Sequence, residues 1–178
     1  RAPPATYLMT RVLFLRSLGL VYLTAFLVAF NQNPALIGDE GLTPARDYWT
    51  RINSTHQTNY PWDGVRASPS LLWFLPNADV FSTVHSLAML GVIVSSFVLV
   101  LGRANFFIMA VLWSSYFTID GVGQRWYGFG WESQLLETGF LAMFATPLLS
   151  LSRERPSTGG WAVVWGFRWL IFRILLGA

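Results

Sequence analysis

The chain has 178 residues, of which 53% are hydrophobic and only 12% are charged. A soluble domain needs more charge than this to cover its surface, so the composition favours a membrane protein. The formal charge of +3 comes from arginines scattered among apolar stretches, without the basic run or face that nucleic-acid binding requires, which excludes a nucleic-acid partner.

Five apolar stretches approach the length of about 20 residues that a membrane-spanning helix needs. The predicted spans are residues 13–30, 84–101, 106–119, 135–151 and 161–178. The chain opens without an initiator methionine and stops inside an apolar run. We therefore expect residues 1–178 to be the amino-terminal transmembrane region of a longer, all-α, polytopic membrane protein.

The segment 31–83 between the first two spans is too long for a turn and too poor in aliphatic residues for a core of its own. Thr43 before Pro44, and Ser68 before Pro69, each predict a helix N-cap followed by proline at the first helical position. We expect two short interfacial helices here, with the apolar residues 71–74 dipping into lipid.

The arginines of the short loops predict the orientation, because cytoplasmic loops retain arginine and lysine during insertion. With five spans, one side of the membrane holds Arg1, Arg11, Arg103, Arg153 and Arg155. The opposite side holds segments 31–83 and 120–134, where acids outnumber arginines. We expect a cytoplasmic amino terminus and a lumenal 31–83 loop. The glycosylation sequon at Asn53 falls on the lumenal side.

Charged residues inside the last two spans need partners, because a charge at the bilayer centre costs about 2.5–3.5 kcal/mol on insertion scales. Spans four and five are expected to be antiparallel neighbours. This arrangement predicts that Glu137 pairs with Arg168 and that Glu132 pairs with Arg173. The two glutamates are five positions apart on one helix, and the two arginines are five positions apart on the other. The plainer interpretation is structural: buried ion pairs, or arginines reaching to headgroups, that specify helix packing.

Polar residues also collect at the lumenal ends of spans two, three and four. Besides Glu132 and Glu137, they are His85, Asp120, Gln124 and Arg125. Together they could line a shallow chamber for a lipid head group, a peptide or a proton-transfer substrate. The alternative is that polar residues gather there simply because spans must end.

Several kinds of chemistry have no support in the sequence. The absence of cysteine excludes a disulfide, a thiolate nucleophile and a cysteine metal site in these residues. The two histidines, His56 and His85, are too far apart in sequence to suggest a metal site, and no Ser-His-Asp arrangement is present. The glycines at 121 and 123 follow no strand and lack the third glycine of a dinucleotide site. We predict no catalytic residue, metal or cofactor.

Four motifs resemble the lipase maturation factor family. The longest are GFGWESQLLETGF at residues 128–140 and WGFRWLIFRILLGA at residues 165–178. TRVLFLRSLGLVY at 10–22 and QNPALIGDEGLTPA at 32–45 resemble the family's first span and the turn after it. AFLVAFNQN and WYGFGWESQLLETGF favour the first of the family's two paralogue types.

The resemblance implies a multi-pass endoplasmic reticulum membrane protein that assists the folding and assembly of secreted dimeric lipases such as lipoprotein lipase and hepatic lipase. It implies contacts with lipases through regions beyond these residues, with membrane lipid and with endoplasmic reticulum folding factors. Members often carry a cysteine after L-L-P. Here Ala45 follows L-T-P, so no thiol role carries over.

Two further hypotheses stay open. The family is distantly similar to the membrane helices of vitamin K-dependent carboxylase, a likeness of scaffold only, because no residue here matches that enzyme's catalytic machinery. On the enzyme hypothesis, Glu132, Glu137 or His85 would be the acid or base of a lumenal-face intramembrane enzyme with a lipid or quinol-like partner. A transporter would need a polar path through the spans. Because the middle of span two offers only Ser95 and Ser96, we rank transport last.

Overall fold

The computed structural model describes residues 8–56, 64–65, 69–75, 78–151 and 160–177. The α-helices are α1 (Leu8–Ile37), α2 (Ala45–His56), α3 (Val80–Leu101), α4 (Phe106–Val122), α5 (Gly130–Ala145) and α6 (Gly160–Gly177). Two short 3-10 helices, η1 (Leu71–Phe74) and η2 (Gln124–Trp126), lie between them. No strand occurs in these residues, and the predicted all-α class is confirmed.

Within the described ranges, α1, α3 and α6 are long and apolar enough to cross a membrane. Helix α4 is a shorter apolar helix of 17 residues. Helix α5 has 16 residues and carries both Glu132 and Glu137. The chain is therefore an α-helical membrane protein.

Long-range hydrogen bonds define two ends of the bundle. At one end, which we call the Arg103 end, Arg16 of α1 donates to the Val100 carbonyl of α3 at 3.1 Å, and Asn105 donates to the Leu149 carbonyl at 3.2 Å. At the opposite end, the Thr43 end, the loop after α1 meets the loop after α4. Successive long helices thus run in opposite directions.

Helices α1 and α3 pack most extensively, because glycines let them approach closely. A Cβ placed on Gly19 would lie 2.9 Å from the Leu99 backbone nitrogen. A Cβ on Gly91 would lie 2.3 Å from the Phe26 ring. In membranes, where burial of apolar surface drives helix association little, such close contact supplies the packing energy.

Local capping fixes where α3 and α4 begin and end. The Asp79 side chain accepts a hydrogen bond from the Ser82 backbone N–H at 2.8 Å and so caps α3. Helix α3 ends at Gly102, whose φ of 60° lies in the left-handed region. Asn105 caps α4 by accepting from the Ile108 N–H at 2.9 Å.

Helix α5 is displaced from the fourth predicted span. It runs over 130–145 rather than 135–151. Pro147 has no N–H to donate and disfavours a helical conformation in the residue before it. Thr146 is accordingly extended, with φ −104° and ψ 158°, and the helix ends at Ala145.

The first of the two predicted short helices forms, but Thr43 does not cap it. Helix α2 begins at Ala45, and Tyr48 donates to the Pro44 carbonyl at 3.3 Å. The Thr43 hydroxyl instead donates to the Leu36 carbonyl and accepts from the Trp126 indole N–H. Thr43 therefore joins distant segments rather than starting a helix.

The second short helix, η1, packs on protein, so the prediction that all of residues 71–74 enter lipid is wrong. Ser70 caps η1, and Ser68 lies outside the described residues. Leu72 and Trp73 are buried, and the Trp73 ring lies 4.8 Å from that of Trp49. The backbone N–H of Leu71 donates to the Thr118 hydroxyl of α4 at 3.2 Å, which holds η1 on the bundle.

Candidate functional site at the Thr43 end

The loop between α4 and α5 is tied to the loop after α1. The Gln124 side chain donates to the Thr43 carbonyl at 3.4 Å, and the Trp126 indole donates to the Thr43 hydroxyl at 2.8 Å. Gln124 has a φ of 53°, a left-handed conformation that non-glycine residues seldom adopt. The two bonds to Thr43 help to hold that conformation.

A buried hydrogen bond lies beneath this tether. The Tyr127 hydroxyl donates to Asn33 Oδ1 at 2.7 Å. Burial raises the pKa of Tyr127, and the negative charges of Glu132 and Asp120 raise it further. The hydroxyl therefore stays protonated at neutral pH and remains a donor.

Glu132 lies in the first turn of α5 and is only 2% exposed. Its carboxylate is directed at the backbone N–H groups of Phe129 and of Glu132 itself. Phe129, the N-cap residue of α5, makes no side-chain capping hydrogen bond. Oε2 of this carboxylate has no hydrogen-bond partner among the described residues.

Tyr116 of α4 occupies the centre of the site and is fully buried. Its ring lies 6.4 Å from that of Tyr127, and its hydroxyl has no hydrogen-bond partner in the described part of the chain. The carboxylates of Asp120 and Glu132 act on that hydroxyl electrostatically. We call this set the buried polar cluster: Asn33, Tyr116, Asp120, Tyr127 and Glu132.

The lumenal polar residues expected from the sequence do not form one chamber. The His85 ring packs against Phe30 at 4.4 Å and Phe81 at 5.7 Å, and no described contact joins it to the other expected residues. Arg125 is exposed on η2. Asp120 is partly buried, and the charge of Glu132 adds to the burial that raises its pKa.

The remaining members of the cluster are not evident from the sequence. Asn33 belongs to α1, Tyr116 lies inside an apolar run, and Tyr127 follows a glycine-rich turn. A tyrosine within an apolar helix is usually interpreted as a packing residue, because its neighbours in sequence do not distinguish a buried hydroxyl from one at the membrane boundary. The one hint in the sequence is that Tyr116 and Tyr127 both come near the end of the third predicted span.

The charge pairing between α5 and α6 differs from the prediction. Arg173 pairs with Glu137, and both side chains are about half exposed. Arg168 lies over the Trp165 ring at 5.2 Å instead of meeting Glu137. Contact of Gly166 with Leu141, where a Cβ would come within 2.8 Å, sets a register that brings Arg173 rather than Arg168 to Glu137. Arg173 is paired with Glu137 and Glu132 is buried, so the predicted Glu132–Arg173 pair does not form.

A largely apolar groove of about 420 Å³ lies beside this ion pair, between α4, α5 and α6. Trp113, Phe140 and Trp169 provide aromatic walls, and Glu137 is its charged lining residue. The Trp113 indole donates to the Leu136 carbonyl at 2.9 Å, so its polar atom is already bonded. The groove thus offers apolar surface with one charged edge.

Two further predicted features can be placed. Asn53 is exposed in the last turns of α2, where a glycan would have room. No group of three or more histidine or acidic residues suited to a metal ion occurs in the ranges that the structure describes. His56 is described only as the last residue of α2.

Comparison with known protein families gives a match over most of the chain. Residues 9–178 match the family model described as the lipase maturation factor transmembrane domain. No solved structure matches the chain. The relationship therefore rests on sequence, over the same residues that form the helical bundle.

Individual relatives show the same relationship. The chain is 49% identical to lipase maturation factor 1 of Bos taurus over 179 residues, which covers 100% of this chain and 32% of that protein. Its identity to lipase maturation factor 1 of Homo sapiens is 49% over 97% of this chain and 31% of that protein. Its identity to lipase maturation factor 2 of Homo sapiens is 32% over 94% of this chain and 25% of that protein. The chain thus spans about a third of the length of its more similar relatives.

Proposed function

Because the chain belongs to the lipase maturation factor family, we propose that it forms the membrane-embedded part of a factor that helps secreted lipases to mature. The proposed clients are dimeric lipases such as lipoprotein lipase and hepatic lipase, bound through regions outside these residues. The observation that carries the proposal is the match of the family's transmembrane domain to nearly all of the chain. We further propose that the factor is not an enzyme and works with other folding factors.

The contacts of the candidate site support a scaffolding role for these helices. Side chains that could perform chemistry make structural bonds: Gln124 ties two loops together, and the Tyr127 hydroxyl donates to Asn33. Arg46 of α2 bonds to Asp79 at 2.6 Å and to Asp39 at 3.4 Å. These bonds hold the Thr43 end in a fixed arrangement from which a client-binding region can project.

The proposed location is the endoplasmic reticulum membrane, with the amino terminus in the cytoplasm. Arg11, Arg16 and Arg103 lie toward the Arg103 end, whereas Asp39 and Asp79 lie at the opposite end. This asymmetry supports a cytoplasmic Arg103 end and a lumenal Thr43 end. The proposal also places Asn53 in the lumen, where it would be glycosylated.

The test is lipase maturation in cells that lack their own maturation factor. The full-length protein is expressed together with a dimeric secreted lipase, and secreted lipase activity is compared with that of the same cells without the factor. An unrelated secreted glycoprotein is the control client. We expect the lipase activity to depend on the factor and the control's secretion to be unchanged. Equal lipase activity with and without the factor would contradict the proposal.

A lumenal-face intramembrane enzyme is the alternative, and the buried Glu132 with its unpartnered oxygen is the observation in its favour. The two hypotheses differ in what Glu132→Gln does. A scaffold loses lipase maturation in proportion to its abundance, because only the folding of the factor is impaired. An enzyme loses maturation while remaining abundant.

A further inference from the structure

The groove between α4, α5 and α6 lies between two contacts that join α6 to α5. Toward the Arg103 end, Gly166 is so close to Leu141 that a Cβ on this glycine would come within 2.8 Å of the leucine side chain. Toward the Thr43 end, Arg173 pairs with Glu137. The space between these contacts measures about 420 Å³, which is in the range of small-molecule sites. The packing of the helices thus forms the groove in advance of any ligand.

The walls of the groove are aromatic, and its mouth faces the bilayer. Trp113 donates its indole N–H to the Leu136 carbonyl at 2.9 Å, which fixes the position of its ring. That ring stacks on Phe117 at 5.0 Å and lies 5.9 Å from the Phe140 ring. Phe140 and Trp169 are exposed at the mouth. Because α6 is long and apolar enough to cross a membrane, the mouth opens on hydrocarbon, and the ligand comes from the lipid.

The depth of the groove matches one leaflet of the membrane. Helix α6 has 18 residues, so its length of about 27 Å is close to the hydrocarbon thickness of about 30 Å. Its last residue, Gly177, therefore lies near the membrane surface at the Thr43 end. Along the helix, Arg173 is about 6 Å below that residue and Gly166 about 16 Å below it, near the bilayer centre. The groove is thus polar near the surface and apolar toward the centre, as a membrane lipid is.

We propose that the groove binds one acyl chain of a glycerophospholipid, with the ester carbonyl of that chain at the Glu137–Arg173 pair. A guanidinium carries five N–H donors, and those that the bond to Glu137 leaves over can donate to the ester carbonyl, because Arg173 is about half exposed. The pair as a whole is neutral, so it favours an uncharged acceptor. A free fatty acid would place its carboxylate beside that of Glu137 and be repelled.

The bound chain would fill the space between three helices. It would pack α6, whose main described contacts are with α5, against Trp113 of α4 as well. The lipid would therefore help to hold α6 on the bundle. This proposal is independent of the proposed role in lipase maturation, and neither depends on the other.

The test is photolabelling of the full-length protein in phosphatidylcholine nanodiscs. A small fraction of the lipid is a phosphatidylcholine with a diazirine in the middle of one acyl chain, and mass spectrometry of peptides identifies the labelled residues. Bulk lipid labels exposed positions such as Ile93 on α3, which is 58% exposed and outside the groove. A chain inside the groove also labels Trp113 and Leu170 in its interior. We expect these two residues to be labelled several times more strongly than Ile93.

Two matched variants locate the effect. Trp169 and Trp165 are 64% and 62% exposed on α6, but only Trp169 lines the groove. Trp169→Ala removes one wall and is expected to lose most of the labelling of Trp113, whereas Trp165→Ala is expected to keep it. Equal labelling of Trp113 in the two variants would overturn the proposal.

The wild type decides the matter by itself if Trp169→Ala does not fold. A fatty acid and a sterol, each carrying a diazirine, are compared with the phosphatidylcholine probe at the same concentration. We expect both to label Trp113 and Leu170 more weakly than the phospholipid does. The proposal is overturned if either probe labels these residues as strongly, or if the phospholipid labels them no more than Ile93, as it would where another protein segment fills the groove.

Discussion

Arg173 of α6 pairs with Glu137 of α5 beside the aromatic groove, and each of the two side chains is about half exposed. Helix α6 makes its main described contacts with α5. Leu170 is among its few buried residues, whereas Trp165, Trp169 and Leu175 are exposed. The ion pair is thus a principal polar connection that positions α6 on the rest of the bundle.

Removing one partner of this pair should destabilise the membrane fold. Glu137→Gln or Arg173→Leu leaves the other charge unpaired in the apolar region, at a cost of up to about 2.5–3.5 kcal/mol on insertion scales. The double variant leaves no charge and should be more abundant than Arg173→Leu alone. Membrane abundance of the full-length protein measures this.

Arg168→Leu provides the control for that experiment, because Arg168 lies over Trp165 and outside the pair. It should reduce abundance less than Arg173→Leu. An equal loss in the two arginine variants would show that the Arg173–Glu137 pair has no special role. Lipase activity per molecule of factor should be unchanged in all of these variants.

Gly139→Ala should destabilise the bundle by about 1–3 kcal/mol through overpacking. A Cβ at Gly139 would lie 1.9 Å from the Tyr22 hydroxyl, which has no hydrogen-bond partner within the described ranges. Tyr22→Phe alone should be neutral or stabilising, because it removes an unpartnered buried hydroxyl. In the Tyr22→Phe background, the loss of stability caused by Gly139→Ala should be smaller. Thermal unfolding of the wild type, the two single variants and the double variant measures this.

Gly91→Ala is the matched control for that cycle, since its Cβ would meet the Phe26 ring at 2.3 Å rather than Tyr22. Tyr22→Phe should not rescue it. Rescue of both alanine variants by Tyr22→Phe would mean that this substitution stabilises the protein generally, and the specific contact would be refuted.

Asp79 should stabilise the fold at neutral pH and lose this contribution in acid. The backbone N–H of Ser82 and, next, the hydrogen bond from Arg46 lower the pKa of Asp79. A lowered pKa in the folded state gives stability that is fully present above the unfolded value of about 3.9 and is lost as pH falls through the folded value. The Tm difference between wild type and Asp79→Ala should therefore be constant from about pH 5 to 8 and shrink below about pH 4.

Asp79→Ala should cost about 1 kcal/mol at neutral pH, a typical value for loss of a helix N-cap. Asp79→Asn should cost less, because the amide oxygen can still accept from Ser82 while the ion pair with Arg46 is lost. If Asn and Ala are equally destabilising, the ion pair rather than the cap is the important contact.

Glycosylation at Asn53 would establish the side of the membrane on which α2 lies. We expect the full-length protein to shift to higher mobility after glycosidase treatment, and Asn53→Gln and Thr55→Ala to lose the portion of the shift that Asn53 contributes. Ser54→Ala changes the middle residue of the sequon and should keep it. A wild type with the same shift as Asn53→Gln would contradict the prediction.

The sequence alone determined the helical membrane class and the approximate position of the long helices. Apolar runs and turn chemistry are local properties, so residues 84–101 and 106–119 fall within α3 and α4. Pro147 favours the extended conformation of Thr146 that ends α5, but the length of the apolar run 135–151 hides this end in the sequence.

The tertiary structure decided which polar residues meet. The pairing of Arg173 with Glu137 depends on a helix register set by the contact of Gly166 with Leu141, and residue spacing along one helix cannot fix that register. Glu132, expected to pair with an arginine, is instead buried in the first turn of α5. Apolarity can be read residue by residue, whereas a buried charge acquires its role from neighbours that only folding brings to it.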